Sequence, residues 1–161
     1  MGCIANLARA VLLAALLPAL TVLAAPQLPA FRALDGTLLP GPSMQGKITV
    51  VALFSVTCPF CMQEAPKLQK LYRDNRAVLN VVAVSVDHSD ALAGARAWTS
   101  KYGLTHPVTL DYLRFESVLG KPKGIPSLYV FDRSGRLVRS EVGEMLDEEF
   151  DELARFARQQ R

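Results

Sequence analysis

Cys58-Pro59-Phe60-Cys61 carries the most informative side-chain chemistry of this chain. Two thiols at that spacing can close a small disulfide ring and reopen it, which equips a protein to exchange disulfides with other molecules. The same spacing is also half of a zinc site. Completing such a site takes two more ligands, and the sequence offers only Cys3 and the widely separated His88 and His106. No metal is expected. A purely structural disulfide is the remaining alternative, yet a ring this small removes little chain entropy. With 161 residues, 50% of them hydrophobic, the chain can build a core without such a staple.

A thiol attacks as its thiolate, and a helix N-terminus stabilises that anion with unpaired N–H groups and the positive end of the dipole. The surrounding sequence supplies such a place. Gly46-Lys47 opens the run Ile48-Thr49-Val50-Val51-Ala52-Leu53-Phe54, whose continuous apolar, β-branched character predicts a strand buried on both faces. After Cys61, the residues Met62, Ala65, Leu68, Leu71 and Tyr72 recur at helical spacing, with Pro66 inside the pattern where a kink is expected. Cys58 therefore falls at the helix start. Pro59 suits the first helical position, where a missing N–H leaves no bond unmade. Cys58 is assigned as the attacking thiol and Cys61, one turn on and shielded, as the thiol that resolves a mixed disulfide.

The elements that must hold this centre follow from the patterning on either side. Phe31 to Leu34, the Asp35-Gly36 turn and Thr37-Leu38-Leu39 predict a small hairpin. Val78 to Val86 predicts a second buried strand, and Leu92, Ala95, Trp98 and Tyr102 a second helix capped by Ser89 or Asp90. A short strand at Pro107 to Leu110 and a short helix around Phe115, Val118 and Leu119 come next. Ser127 to Phe131 and Arg136 to Val142 flank an Asp132-Arg133-Ser134-Gly135 turn as a hairpin. A final helix begins near Asp147-Glu148-Glu149 and ends among Arg155, Arg158 and Arg161, a charge order that complements the helix dipole. This order predicts an α/β fold: a central mixed β-sheet flanked by helices, with an N-terminal β-hairpin extension. Trp98 is expected in the core and His88 in a polar loop.

Residues 1–25 differ in kind. Arg9 precedes an apolar run from Ala10 to Ala25 that contains no acidic residue and is broken by Pro18. It reads as a signal peptide for export, cleaved after Ala24, with residues 26–161 forming one domain. The alternative is an uncleaved membrane tether through residues 10–25, which is short for a span of about 20 residues. Outside the cytosol a thiol pair meets oxidising conditions and stays reduced only if another protein keeps it so. Removing residues 1–25 takes one positive charge and no negative one from a chain with 18 Lys+Arg and 15 Asp+Glu, so the remaining domain is only slightly basic. No basic stripe with interleaved aromatics marks a nucleic-acid surface.

The strand, the CxxC, the helix with its internal proline and the later Gly124-Ile125-Pro126 resemble the thioredoxin fold. The export signal, the Asp35-Gly36 hairpin, Gly46-Lys47, Val84-Ser85-Val86-Asp87 and Cys58-x-x-Cys61-x-x-Glu64-x-Pro66 resemble the TlpA/ResA-like exported thiol-disulfide oxidoreductases, over essentially all of residues 26–161. That resemblance implies a thioredoxin-like domain in which Pro126 is a cis-proline facing the cysteines. The Ile125 backbone, beside Gly124, would then bond a substrate chain that Pro59 and Phe60 also touch. It implies that Glu64 lies near the thiols and takes the proton of Cys61 during resolution; a solvated surface Glu64 is the alternative. Ala52 stands where many thioredoxins carry a buried acid.

The same resemblance implies protein thiols and disulfides as partners, reduction rather than oxidation, as in cytochrome c maturation, and a membrane protein as electron donor. It places the protein in the periplasm or otherwise outside the cytoplasm, as a monomer with no cofactor beyond the Cys58-Cys61 disulfide. Two departures stand out. Thr57 and Phe54 occupy positions where many relatives have Trp, and Pro59-Phe60 offers the thiolate no positive partner. A redox potential below the roughly −120 mV of strong periplasmic oxidants is expected. Two competing readings fit less well. A thiol peroxidase shares the fold but needs a Thr and a Pro ahead of its cysteine, and Val50 to Thr57 contains no Pro. Related copper chaperones use CxxxC with a distant His, a longer spacing than the one here.

Overall fold

The computed structural model describes residues 27–160. Cys3 and the stretch expected to be a signal or a tether lie outside the described residues. Among the described residues, no helix is long and apolar enough to cross a membrane.

The first elements of the described residues form the expected hairpin, in which β1 (Phe31–Arg32) pairs antiparallel with β2 (Leu38–Leu39). Its turn needs Gly36, whose φ of 91° disfavours any residue with a Cβ. The hairpin docks on the main sheet through Leu34 N–H, which donates to Val108 O at 2.8 Å. The expected central strand is β3 (Ile48–Phe54), buried at every position. It leads into α1 (Pro59–Asn75), β4 (Leu79–Ser85), α2 (Leu92–Lys101), β5 (Val108–Thr109), α3 (Tyr112–Leu119), β6 (Ser127–Phe131), β7 (Leu137–Val142) and α4 (Asp147–Gln159). The main sheet has the order β5-β4-β3-β6-β7. Strands β3, β4 and β5 run parallel, and β6 and β7 complete the sheet antiparallel.

Alternation along β3 divides the core. Ile48, Val50 and Ala52 join Leu68 and Leu71 of α1 and Phe150, Leu153 and Ala157 of α4 on one face of the sheet. Val51 and Leu53 join Phe31, Met44 and Phe115 on the other. A third cluster gathers Phe54, Cys61, Ala65, Trp98, Leu104 and Val108 at the end of the sheet that carries the cysteines. There the Trp98 ring stacks on Phe54, with centroids 3.9 Å apart. Trp98 is thus in the core, as expected, and Phe54 is committed to it as well.

One local expectation fails. The residue before α2 is Ala91, not Ser89 or Asp90, and it makes no side-chain cap bond; a 3-10 turn over Ser89–Ala91 comes first. A tight turn closed by Ala91 N–H donating to His88 O at 2.9 Å stands in place of the expected cap. α1, by contrast, runs as one helix through Pro66.

Candidate active site

Cys58 sits where β3 has ended and α1 begins, with β-region backbone angles of −80° and 116° as the residue preceding the helix. Pro59 takes the first helical position, as its fixed φ and missing N–H favour. Cys58 and Cys61 form a disulfide, with Cα atoms 5.2 Å apart. The Cys61 N–H donates to Cys58 Sγ at 3.2 Å, so an unpaired donor of the first helical turn points at the sulfur that would carry the thiolate. Cys58 is half-buried while Cys61 is buried in the third cluster. This asymmetry fits an accessible attacking sulfur and a shielded resolving one.

Facing the disulfide is the segment before β6. The Ile125–Pro126 peptide bond is cis, and Ile125 O lies 3.9 Å from Cys58 Sγ. Pro126 is buried, Gly124 and Ile125 half-buried. A Cβ on Gly124 would stand 3.3 Å from Val142 Cγ1, so the missing side chain lets β7 approach the site. Phe60 (57% exposed), between the cysteines in the chain, and Val142 (58%), against Gly124, both leave apolar surface. Pro126, Ile125 and Gly124 stand where the resemblance implied them, Pro59 and Phe60 between the cysteines; neither the resemblance nor the residues pointed to Val142.

Glu64 follows Cys61 by three residues on α1 and therefore shares its face of the helix. It is 1% exposed, which removes the alternative of a solvated surface residue. Its Oε2 accepts the Met145 N–H at 3.1 Å. Burial pushes its carboxyl up from 4.5 to about 7, the Met145 bond and the Lys67 charge pull it down, and Glu144 and Glu149 push it further up. A carboxyl with that affinity exchanges a proton near neutral pH. The loop between β7 and α4 that buries Glu64 also reaches the proline, because Gly143 N–H donates to Pro126 O at 2.8 Å. Lys67 Nζ ties the same loop to α1 through Glu144 Oε1 and Met145 O, both at 3.2 Å, and Asp147 Oδ1 at 3.3 Å.

Sequence reasoning also missed Asp87, whose carboxylate accepts hydrogen bonds from the turn that leads into Cys58. The Val84-Ser85-Val86-Asp87 pattern was its only signal. Ala52, in the place of a buried acid, is packed into the core. His88 is exposed. His106 is 4% exposed and sits edge-on to Tyr72, and burial pushes its imidazole down to about 4, against its hydrogen bond to Pro107 O.

The chain is similar to known proteins. The sequence profile described as Redoxin matches residues 24–155. Thioredoxin-like protein YneN of Bacillus subtilis is 30% identical over 111 residues, which is 67% of this chain and 64% of YneN. Thiol-disulfide oxidoreductase ResA of Bacillus anthracis is 22% identical over 121 residues, 73% of this chain and 68% of ResA. The chain thus spans about two thirds of the length of these curated relatives. The crystal structure of a thioredoxin-family thiol:disulfide interchange protein from Chlorobium tepidum superposes with a TM-score of 0.75 at 24% identity, covering 83% of this chain and 94% of that one. Since the profile match takes in β1 through most of α4 and the superposition covers 83% of the chain, the chain belongs to the Redoxin family and has the thioredoxin-like fold.

Proposed function

We propose that this protein is a thiol-disulfide oxidoreductase that exchanges the Cys58–Cys61 dithiol and disulfide with cysteines of other proteins. The observation that carries the reading is the disulfide at the start of α1, its outer sulfur accepting the Cys61 N–H and standing 3.9 Å from Ile125 O. The relatives named thiol-disulfide oxidoreductase and thiol:disulfide interchange protein support it.

In the reducing direction the Cys58 thiolate attacks one sulfur of a substrate disulfide, forming a mixed disulfide and releasing the first substrate thiolate. Glu64 takes the proton from Cys61. The Cys61 thiolate then attacks Cys58 Sγ, the mixed disulfide breaks, and the second substrate thiolate leaves. Two electrons pass to the substrate and the Cys58–Cys61 disulfide forms. A thiol donor must restore the dithiol, and the reading assigns that task to a membrane electron-donor protein. The backbone at Gly124 and Ile125, together with Pro59, Phe60 and Pro126, holds the substrate chain across the sulfurs.

Net reduction of extracytoplasmic proteins, cytochrome c maturation included, follows from the resemblance to TlpA/ResA-like proteins and from the lack of a cation beside Cys58 in the CxxC. Export rests on the signal-like residues 1–25, and residues 26–161 are proposed as the working domain. Insulin reduction with dithiothreitol, peroxide consumption and Cu(I) titration test the assignment together. Accelerated insulin reduction that is lost in Cys58→Ser is expected. Peroxide turnover or tight Cu(I) binding without insulin reduction would overturn it.

A further inference from the structure

The turn that presents Cys58 is held by a side chain that disulfide exchange does not use. Asp87 lies just beyond β4, and its carboxylate accepts three hydrogen bonds. Ser55 Oγ–H donates to Oδ1 at 2.7 Å, Val56 N–H to Oδ2 at 2.9 Å, and Ser85 Oγ–H to Oδ2 at 2.6 Å. Ser55 has a single hydroxyl proton, already given to Asp87, so in the 3.0 Å contact between Ser55 Oγ and Thr57 Oγ1 the threonine is the donor. Thr57 N–H reaches the same Ser55 oxygen at 3.3 Å, and Cys58 N–H closes the turn on Ser55 O at 3.1 Å. Each residue from Ser55 to Cys58 is thereby tied to one carboxylate, directly or through Ser55. Burial disfavours an ionised Asp87, but the bonds from Ser85, Val56 and Ser55, with the neighbouring His88, outweigh it and hold the carboxyl below its ordinary value.

Two consequences for Cys58 oppose each other. The clamp fixes the residue before α1, and with it the alignment of the Cys61 N–H on Cys58 Sγ, which favours the thiolate. The negative charge of the clamp disfavours a second anion nearby. We infer that Asp87 is a positioning residue for the attacking thiol: it holds residues 55–57 in the one turn that delivers Cys58 to the helix N-terminus. The inference rests on the proposed role of Cys58.

Alkylation of the reduced full-length chain by iodoacetamide, followed across pH with the Cys58 and Cys61 adducts separated by mass spectrometry, tests it. In the wild type Cys58 reacts ahead of Cys61; if it does not, the proposed role of Cys58 fails along with this inference. Asp87→Ala loses all three bonds and is expected to slow Cys58 alkylation at neutral pH by about threefold to tenfold, with the pH midpoint moved up, the equivalent of roughly one ordinary intramolecular hydrogen bond. Asp87→Asn keeps an acceptor oxygen for Val56 and Ser85 while removing the charge, and recovers most of that rate. A role through charge alone would make both variants faster. Cys58 that still reacts first in Asp87→Ala, at the wild-type rate or above, overturns the inference and leaves the role of Cys58 intact. Should Asp87→Ala fail to fold, Ser55→Ala removes the link to Thr57 and leaves the carboxylate in place. It must slow Cys58 in the same direction, and a wild-type profile there overturns the inference equally.

Discussion

Replacing Glu64 by glutamine separates the buried acid's effect on stability from its role in exchange. Folding raises the carboxyl from 4.5 to about 7, because burial disfavours the charged form more than the Met145 N–H and the Lys67 charge favour it. The folded protein therefore binds this proton more tightly than the unfolded chain. Its contribution to stability is complete below pH 4.5 and is lost as pH rises through about 7. At about 1.4 kcal/mol for each pH unit in that window, the loss is on the order of 3 kcal/mol. The amide of Glu64→Gln has an oxygen for the Met145 N–H and no charge to bury, so the variant lacks this dependence. Urea unfolding of both oxidised proteins from pH 4 to pH 9 measures the difference, since every other group titrates in both. The variant is expected to gain on the wild type by about 2–3 kcal/mol between the ends of that range. Parallel curves would refute the argument that Glu64 is buried as an acid with near-neutral affinity. In exchange assays the same variant is expected to slow resolution by about a hundredfold, the lower end for a lost proton acceptor.

Three further outcomes follow from the same geometry. Lys67→Met removes the cation that helps ionise Glu64, so the pH at which stability falls moves upward in the same unfolding series; an unmoved profile would mean that Lys67 does not act on Glu64. Phe60→Ala removes an exposed ring beside the cysteines, and is expected to raise the KM for insulin about fivefold to tenfold while changing folding stability by less than about 0.5 kcal/mol. Equilibration with a glutathione buffer is expected to give a potential well below about −120 mV, because Pro59 and Phe60 supply no positive partner to the Cys58 thiolate. A value near that figure would contradict net reduction.

Much of this site was legible because its parts are local. The apolar run of β3 and the helical spacing after Cys61 put the cysteines at a strand-to-helix junction, and both elements have close to the expected bounds. Pro126 was legible only through the resemblance, since X–Pro bonds are mostly trans and nothing beside this one announces otherwise. What escaped depends on distant chain segments. Glu64 is buried by a loop 81 residues away, and helical periodicity cannot distinguish a carboxyl covered by such a loop from one in water. Asp87 meets Ser55 and Val56 across 32 and 31 residues because β3 and β4 are parallel neighbours. Val142 reaches the site through the absence of a side chain at Gly124. The misplaced cap of α2 is of another sort: Ser89 and Asp90 are good cap residues, and a 3-10 turn took them up first.

The claim that Cys58 attacks and Cys61 resolves is tested most directly by trapping. Reduced Cys61→Ser, mixed with a peptide that contains a disulfide, is expected to accumulate a covalent one-to-one adduct that mass spectrometry places on Cys58 and that dithiothreitol releases. Wild-type protein under the same conditions passes through that adduct and ends with reduced peptide and a Cys58–Cys61 disulfide. Within residues 26–161, an adduct on any residue other than Cys58, or none at all from a folded variant, would contradict the account.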